Sequence, residues 1–464
     1  MTSPRAQPAS SGVTLAPAQA GSWAVVGGGM MGMLIALRLA QAGADVSLIE
    51  AANELGGLAA PWELETKAGA SVTWDRHYHV TLLSDSFTRG VLRELGLEAE
   101  MQWVETGTGY LSAGSLSPMS NALEYLSLPG LSMLDKARVA ATIVYASRVT
   151  DFRRLEELTV EQWLTRLSGA SAFRKLWRPL LEAKLGDSWK TSSAAFIWAT
   201  IQRLYAARRT GLKKEMFGYV PGGYSTVVQA FRRLLESEGV RVRLGAKVER
   251  IERGSGRLLV QGDGTQSFDR VVLTTTPKTV ARLCPDIASL QRQQLRGVDY
   301  QGIVCPSLLC KKSLSDYYLT YITDPDVPFT AVVEMTAFVD PKELDGHRLI
   351  YLPRYAKAGH PVFALGDEEL KEHFLNTLAR LYPGFDPSDV VGFRVSRVKE
   401  VFPLPTLGFS KSPLPTTFSE LPGLSAISSA HIQNGTLNVN DTLRVAERAS
   451  RSLVFSGGTK IYLD

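Results

Sequence analysis

The chain has 464 residues, 45% hydrophobic and 21% charged, with a formal net charge of +5. These values fit a soluble globular protein of two or three packed units and exclude a disordered, collagen-like or coiled-coil chain; the charge excess is too small over this length to indicate nucleic-acid binding. Three cysteines (Cys284, Cys305, Cys310) exclude a disulfide framework, no zinc-type Cys/His spacing indicates a metal, and reduced thiols fit a cytoplasmic location.

Residues 1–20 are rich in Pro, Ala and Ser without the apolar stretch of a secretory signal, and are expected to form a disordered leader. The longest nearly apolar run, Trp23 to Ala40, is broken by four glycines and Arg38. It reads as strand–turn–helix rather than a membrane span, which leaves peripheral membrane contact open. Trp23 to Val26 predicts a buried parallel strand. Gly27, Gly29 and Gly32 then satisfy G-x-G-x-x-G, with Met30 and Met31 between the last two. A helical pattern through Leu34 and Leu37 stops at Gly43, and Asp45 to Ile49 predicts a second strand ending in Glu50 and Ala51. In such a unit Gly27 makes the tight turn, Gly29 admits a pyrophosphate and Gly32 lets helix and strand pack closely. The helix N-terminus offers free amides to the phosphates, and Glu50 accepts hydrogen bonds from a ribose diol. Glu50 would repel a 2′-phosphate, so NAD and FAD are left as ligands.

Beyond Glu50 come Gly56-Gly57 and Leu58. This arrangement resembles the flavin-dependent amine oxidase, phytoene desaturase and protoporphyrinogen oxidase superfamily, in which the first unit and the glycine pair wrap the FAD adenosine diphosphate. The resemblance therefore implies FAD. It departs at Leu58, where many members carry arginine. Val72 to His79 resembles the family segment beside the isoalloxazine ring, with His77 where a glycine is frequent. It implies flavin contacts at His77 and Tyr78, substrate contact at Tyr78, and proton transfer by His77 and His79, which two-residue spacing puts on one side of an extended segment. The two histidines also resemble, more loosely, a segment of UDP-galactopyranose mutases.

Further along, Gly222-Gly223 opens a helix, and Val242 to Leu244 and Lys247 to Ile251 predict strands. The family resemblance puts the Val248 backbone against the adenine and makes the Asp269 to Pro277 run, with Thr275, the next cofactor strand. Leu424 to Ala430 predicts a strand, followed by a helix capped by Asn438 or Asn440. In the family this helix directs its N-terminus, here Val439 and Asn440, at the flavin pyrimidine. Ala430-His431 replaces the usual Gly-Asp, so that contact falls to His431.

The expected fold is α/β: a Rossmann-like FAD domain from residues 21–85, 218–285 and 396–464, interleaved with an α+β substrate domain from 86–217, mainly helical, and 286–395, strand-rich then helical. Three candidates stand out there. Glu334 interrupts an uncharged strand, and either faces solvent or acts catalytically in the pocket. Arg354 and Tyr355 form a cation–aromatic pair for an anionic or carbonyl substrate, or a strand-end salt bridge. A basic run, Arg203, Arg208, Arg209, Lys213 and Lys214, and the mixed Trp177 to Lys184 stretch are solvated faces or a substrate entrance. The function implied is an FAD-dependent oxidoreductase moving a hydride from a C–N or C–C bond of a small molecule, the alternative a non-redox mutase-like flavoenzyme acting on a nucleotide sugar. A binding protein without activity would not need so complete a phosphate cradle.

Overall fold

The computed structural model describes residues 21–65, 71–112, 114–120, 124, 130–206, 216–324, 326–411, 413–432, 437–456, 461 and 463. The leader at 1–20 and Arg208, Arg209, Lys213 and Lys214 lie outside these residues. Among those described, no helix is long and apolar enough to cross a membrane.

A five-stranded parallel sheet carries the N-terminal motif. Its order is Arg241–Arg243, Asp45–Ile49, Ser22–Val26, Arg270–Leu273, Leu424–Ala426, so three distant parts of the chain meet in one layer. Ser22–Val26 lies centrally and is buried on both faces, which is why it reads as a continuous apolar run. One face packs the helices Met30–Gln41, Gly223–Ser237 and Val439–Ser456 around Leu34, Phe231 and Leu453. An antiparallel meander, Arg250–Arg253, Leu258–Gly262 and Gly264–Phe268, packs on the other. Val248, expected within a strand, precedes the meander in an extended segment that Glu50 holds by its carbonyl on the amide of Ala246 at 2.9 Å.

A mixed eight-stranded sheet forms the second layer, built on Tyr300–Cys310, which is buried along its whole length. Two features of this sheet cut across the expected division of the chain. The stretch 86–217 also supplies strands: Gly107–Ser112 pairs in parallel with Tyr317–Ile322 and so ties both insertions into one sheet. Val390–Pro403 runs antiparallel to Tyr300–Cys310 straight through the expected boundary at 396, because one long paired strand is favoured over a break in its ladder. A helical layer around Trp163, Trp177 and Trp189 covers one end of this sheet, and the helix Asp367–Leu381 covers one face through Leu370, Phe374 and Leu378.

Candidate active site

The glycine turn is built by exclusion. A Cβ on Gly32 would lie 1.8 Å from the Gly27 carbonyl oxygen, so the helix can start this close to the strand only with glycine there. Gly27 has φ +112°, a region L-residues avoid. Gly29 is bridged to Gly56, and the Gly56 amide donates to Gly28 O at 2.9 Å, which draws the glycine pair over the turn. The helix Met30–Gln41 has no capping side chain and no acid in its first turn. Its first amides therefore face the turn without a local partner. Glu50 accepts from the amides of Gly28 at 2.6 Å and Ala52 at 2.8 Å, one on each carboxylate oxygen, and each oxygen keeps capacity for another donor. Ala51 is exposed beside it, and Leu58 is half-buried just past the glycine pair.

The segment after Ser71–Asp75 bends instead of continuing extended, and its histidines separate as a result. His77 donates from Nδ1 to the carbonyl of Leu58 at 3.0 Å, leaving a buried Nε2 without a partner. Burial, with the nearby charges of His79 and Arg76, pushes its pKa down to about 4, so the ring is neutral. His79 turns the other way: its Nδ1 stands 3.7 Å from Asp75 and its ring packs on Tyr224 at 4.8 Å. A cavity of about 70 Å³ opens there, bounded by Asp75, Gly222, Gly223, Tyr224 and Tyr351. Asp75 also accepts from the Tyr224 amide at 2.9 Å, fixing the start of the helix Gly223–Ser237.

Between the histidines, Tyr78 reaches the substrate sheet, where its hydroxyl meets that of Tyr355 at 2.7 Å. Burial beside Tyr355 holds the Tyr78 phenol protonated, well above its ordinary range. The cation at this wall is not Arg354. Neighbouring strand residues face opposite sides: Tyr355 stands opposite Ile303 on the Trp74 and Tyr351 side, whereas Arg354 stands opposite Val304 on the face covered by the helix Asp367–Leu381. Lys184 takes the place instead, its ammonium 3.7 Å over the Tyr355 ring and 5.6 Å from Phe402, with no carboxylate partner among the described residues. Glu334 meets neither expectation. It is 1% exposed, and it alternates with Val333 so as to stand, opposite Ile350, on the helix-covered face, where its carboxylate accepts from the amides of Leu314 at 3.1 Å and Ser315 at 3.3 Å. It holds a turn rather than reaching either histidine, and burial lifts its pKa to about 7.

At the C-terminal side, Asn438 caps its own helix through the Asp441 amide at 2.8 Å. Asn440, the second residue of that helix, instead accepts from the amides of Phe87 at 2.9 Å and Thr88 at 3.2 Å and so caps the helix Ser86–Glu94. His431 accepts at Nδ1 from the Ser428 amide at 3.0 Å, and burial lowers its pKa to about 4. Thr275 carries a buried hydroxyl without a partner at the end of Arg270–Leu273. Arg203, from the basic run, is paired with Asp85 at 3.0 Å and is not an open cation.

The profile of the flavin-containing amine oxidoreductases matches residues 30–451. The chain belongs to that family. The family implies FAD as the cofactor of this chain. Among curated proteins it is 23% identical over 284 residues to a hydroxysqualene dehydroxylase of Sinorhizobium fredii (57% of this chain, 63% of that one). It is 26% identical over 279 residues to a carotenoid φ-ring synthase of Streptomyces griseus (56% and 53%). The match thus spans somewhat over half the length of these relatives. In fold it resembles a protein of Exiguobacterium sp. 255-15 provisionally named protoporphyrinogen oxidase (TM-score 0.74, 17% identity, 94% of this chain and 99% of that one). It also resembles a reduced UDP-galactopyranose mutase (0.72, 16%, 95% and 96%) and putrescine oxidase bound to putrescine (0.68, 18%, 94% and 99%).

The residues fit the family's cofactor. The uncapped helix start and Gly29, with nothing nearer than Gly57 Cα at 4.0 Å to a Cβ built on it, suit a diphosphate. The Glu50 carboxylate suits a ribose, and the unpartnered His77 Nε2 and Thr275 hydroxyl are buried polar atoms that a ligand's polar edge would satisfy. Asp75 and Lys184 escaped the sequence reading as site residues. Asp75 lies within the Val72 to His79 segment without having been picked out of it, and Lys184 ends the mixed aromatic and charged stretch already singled out.

Proposed function

We propose that this oxidoreductase oxidises a C–N or C–C bond of an organic small molecule, for which bound FAD would accept the hydride from carbon, a protein group the accompanying proton, and oxygen or another acceptor would restore the cofactor. Bound FAD supplies the hydride acceptor, and the chain's task is to hold, orient and dry the reactants. The cofactor is held at Gly27, Gly29, Met30, Met31, Gly32, Glu50 and the Gly56–Leu58 turn. Val248 and Thr275 bound it on one side and His431 and Val439 on the other. His77, fixed by Leu58 and neutral, offers Nε2 as an acceptor to the cofactor edge. His79, oriented by Asp75, is the proton carrier.

The observation that carries the reading is the wall of Tyr78, Tyr355 and Lys184: two joined hydroxyls and an ammonium that meets no carboxylate among the described residues. Such a wall receives a carbonyl, hydroxyl or anionic group and repels an ammonium. The names of the curated relatives, which concern squalene- and carotenoid-type compounds, support an oxygenated or unsaturated polyprenoid over a free amine. Purified protein should be yellow and release FAD on denaturation. Anaerobic addition of polyprenoids, porphyrinogens, amines and nucleotide sugars should bleach the flavin with one of the first two classes. If nothing bleaches it, and a nucleotide sugar turns over only after external reduction without consuming an acceptor, the mutase-like reading takes its place.

A further inference from the structure

The helix Met133–Arg148 is apolar on two faces, and only one is covered. Val139, Thr142 and Ala146 turn inward against the helices Val160–Ser168 and Ala194–Ala206. On the outer side Met133 is 70% exposed, Leu134 60%, Val144 40% and Tyr145 51%. Ala137, Ala140 and Ala141 lie exposed between them. These positions recur three and four residues apart, so they form one continuous stripe along a helix of 16 residues, about 24 Å long. Nearly half of the large hydrophobic side chains exposed in the described residues are gathered here. Scattered exposed apolar residues are ordinary, but a contiguous stripe marks a contact surface.

We propose that this stripe docks on an anionic lipid surface. The charges around it decide the occupant. The helix has a single acid, Asp135, which is buried and bound to Ser132 and Ser171 at 2.9 and 3.0 Å. The charged side chains exposed on the helix are Arg138 and Arg148, and Lys175 stands at its entry, donating to the Gly130 carbonyl at 2.8 Å. An apolar stripe framed by cations, on a helix that exposes no acid of its own, is the pattern of a helix lying in a bilayer interface. A second copy of the chain would bring arginines against arginines across a two-fold contact with no acid on either helix to meet them. The same helical layer reaches inward to Phe402 and Tyr355, so the stripe lies one layer of helices away from the Lys184 wall.

The test uses the full chain with vesicles of phosphatidylcholine alone or of equimolar phosphatidylcholine and phosphatidylglycerol, read by co-sedimentation. Wild-type protein should sediment with the anionic vesicles and lose that binding in high salt. The triple variant Met133→Glu/Leu134→Glu/Val144→Glu should lower the partition coefficient by about tenfold or more. Arg138→Gln/Arg148→Gln, which leaves the apolar stripe intact and serves if the triple variant does not fold, should abolish the preference for anionic over neutral vesicles. Three outcomes would overturn the proposal: no sedimentation of the wild type, equal sedimentation of wild type and variants, or a concentration-dependent dimer without vesicles that the triple variant dissolves. None of these readouts depends on flavin or turnover, so failure here leaves the proposed reaction untouched.

Discussion

Gly32 shows how much a single missing methyl group decides. With a backbone carbonyl oxygen 1.8 Å from the place of a Cβ, Gly32→Ala cannot be absorbed by turning a side chain aside. The variant should lose at least about 1–3 kcal/mol of stability and most of its bound FAD, read by thermal denaturation and by absorbance of the purified protein. Glu50 works in two directions at once, bracing the turn through Gly28 and Ala52 and presenting its remaining lone pairs outward. Glu50→Arg should weaken FAD binding by about 2–4 kcal/mol in a titration of the apoprotein, whereas Glu50→Gln, still an acceptor, should weaken it less. These residues were legible because the contacts that define their roles, Gly32 with Gly27 and Glu50 with Gly28 and Ala52, lie within one strand–helix–strand unit. Tyr355 was a candidate as well, but its pairing with Lys184 was not legible, since no spacing rule relates a residue on a helix to one on a strand of a different segment. At that wall, Lys184→Met should raise the KM of a carbonyl-bearing or anionic substrate about tenfold or more with little change in kcat, as expected for a binding contact that is the same in ground and transition states.

At the scale of elements, the helix caps reach between segments. Of the two candidate caps for the last helix, Asn438 takes that local role, and Asn440 caps Ser86–Glu94. Asn440→Ala should therefore cost about 1 kcal/mol, and hydrogen exchange should speed up at Phe87 and Thr88 rather than at the start of Val439–Ser456. Sequence alone offers two asparagines near one helix start. Which of them stays local depends on what else approaches that turn. Strand alternation decided two other expectations in the same way. Glu334 and Arg354 were recognisable as unusual charges, but the face each occupies follows from pairing register with Ile350 and Val304, which the sequence does not display.

For the molecule as a whole, the buried titratable groups shape stability against pH. His77 and His431, held neutral with pKa values near 4 against an ordinary 6.5, bind protons more readily unfolded, so both make stability fall as pH drops from about 6.5 towards 4. Glu334 acts in the opposite sense. Its carboxyl, lifted from 4.5 to about 7, holds its proton longer when folded, so stability falls as pH rises through that window. Glu334→Gln keeps an acceptor for the Leu314 and Ser315 amides and removes the charge. Its stability relative to wild type should therefore rise by about 3 kcal/mol between conditions below 4.5 and above 7, measured by chemical denaturation across pH.

The sequence by itself determined the parts whose partners are near in the chain: the parallel strand, the glycine turn, the acid that ends the second strand, and through them a dinucleotide-type cofactor. Local geometry suffices there, because each residue's role is set by neighbours a few turns away. Only the tertiary structure decided that both insertions share one sheet, that His77 and His79 face different surroundings, and that Lys184 rather than Arg354 supplies the cation of the wall. Those outcomes depend on register and on contacts between distant segments, where a shift of one residue moves a side chain to the opposite face of its sheet.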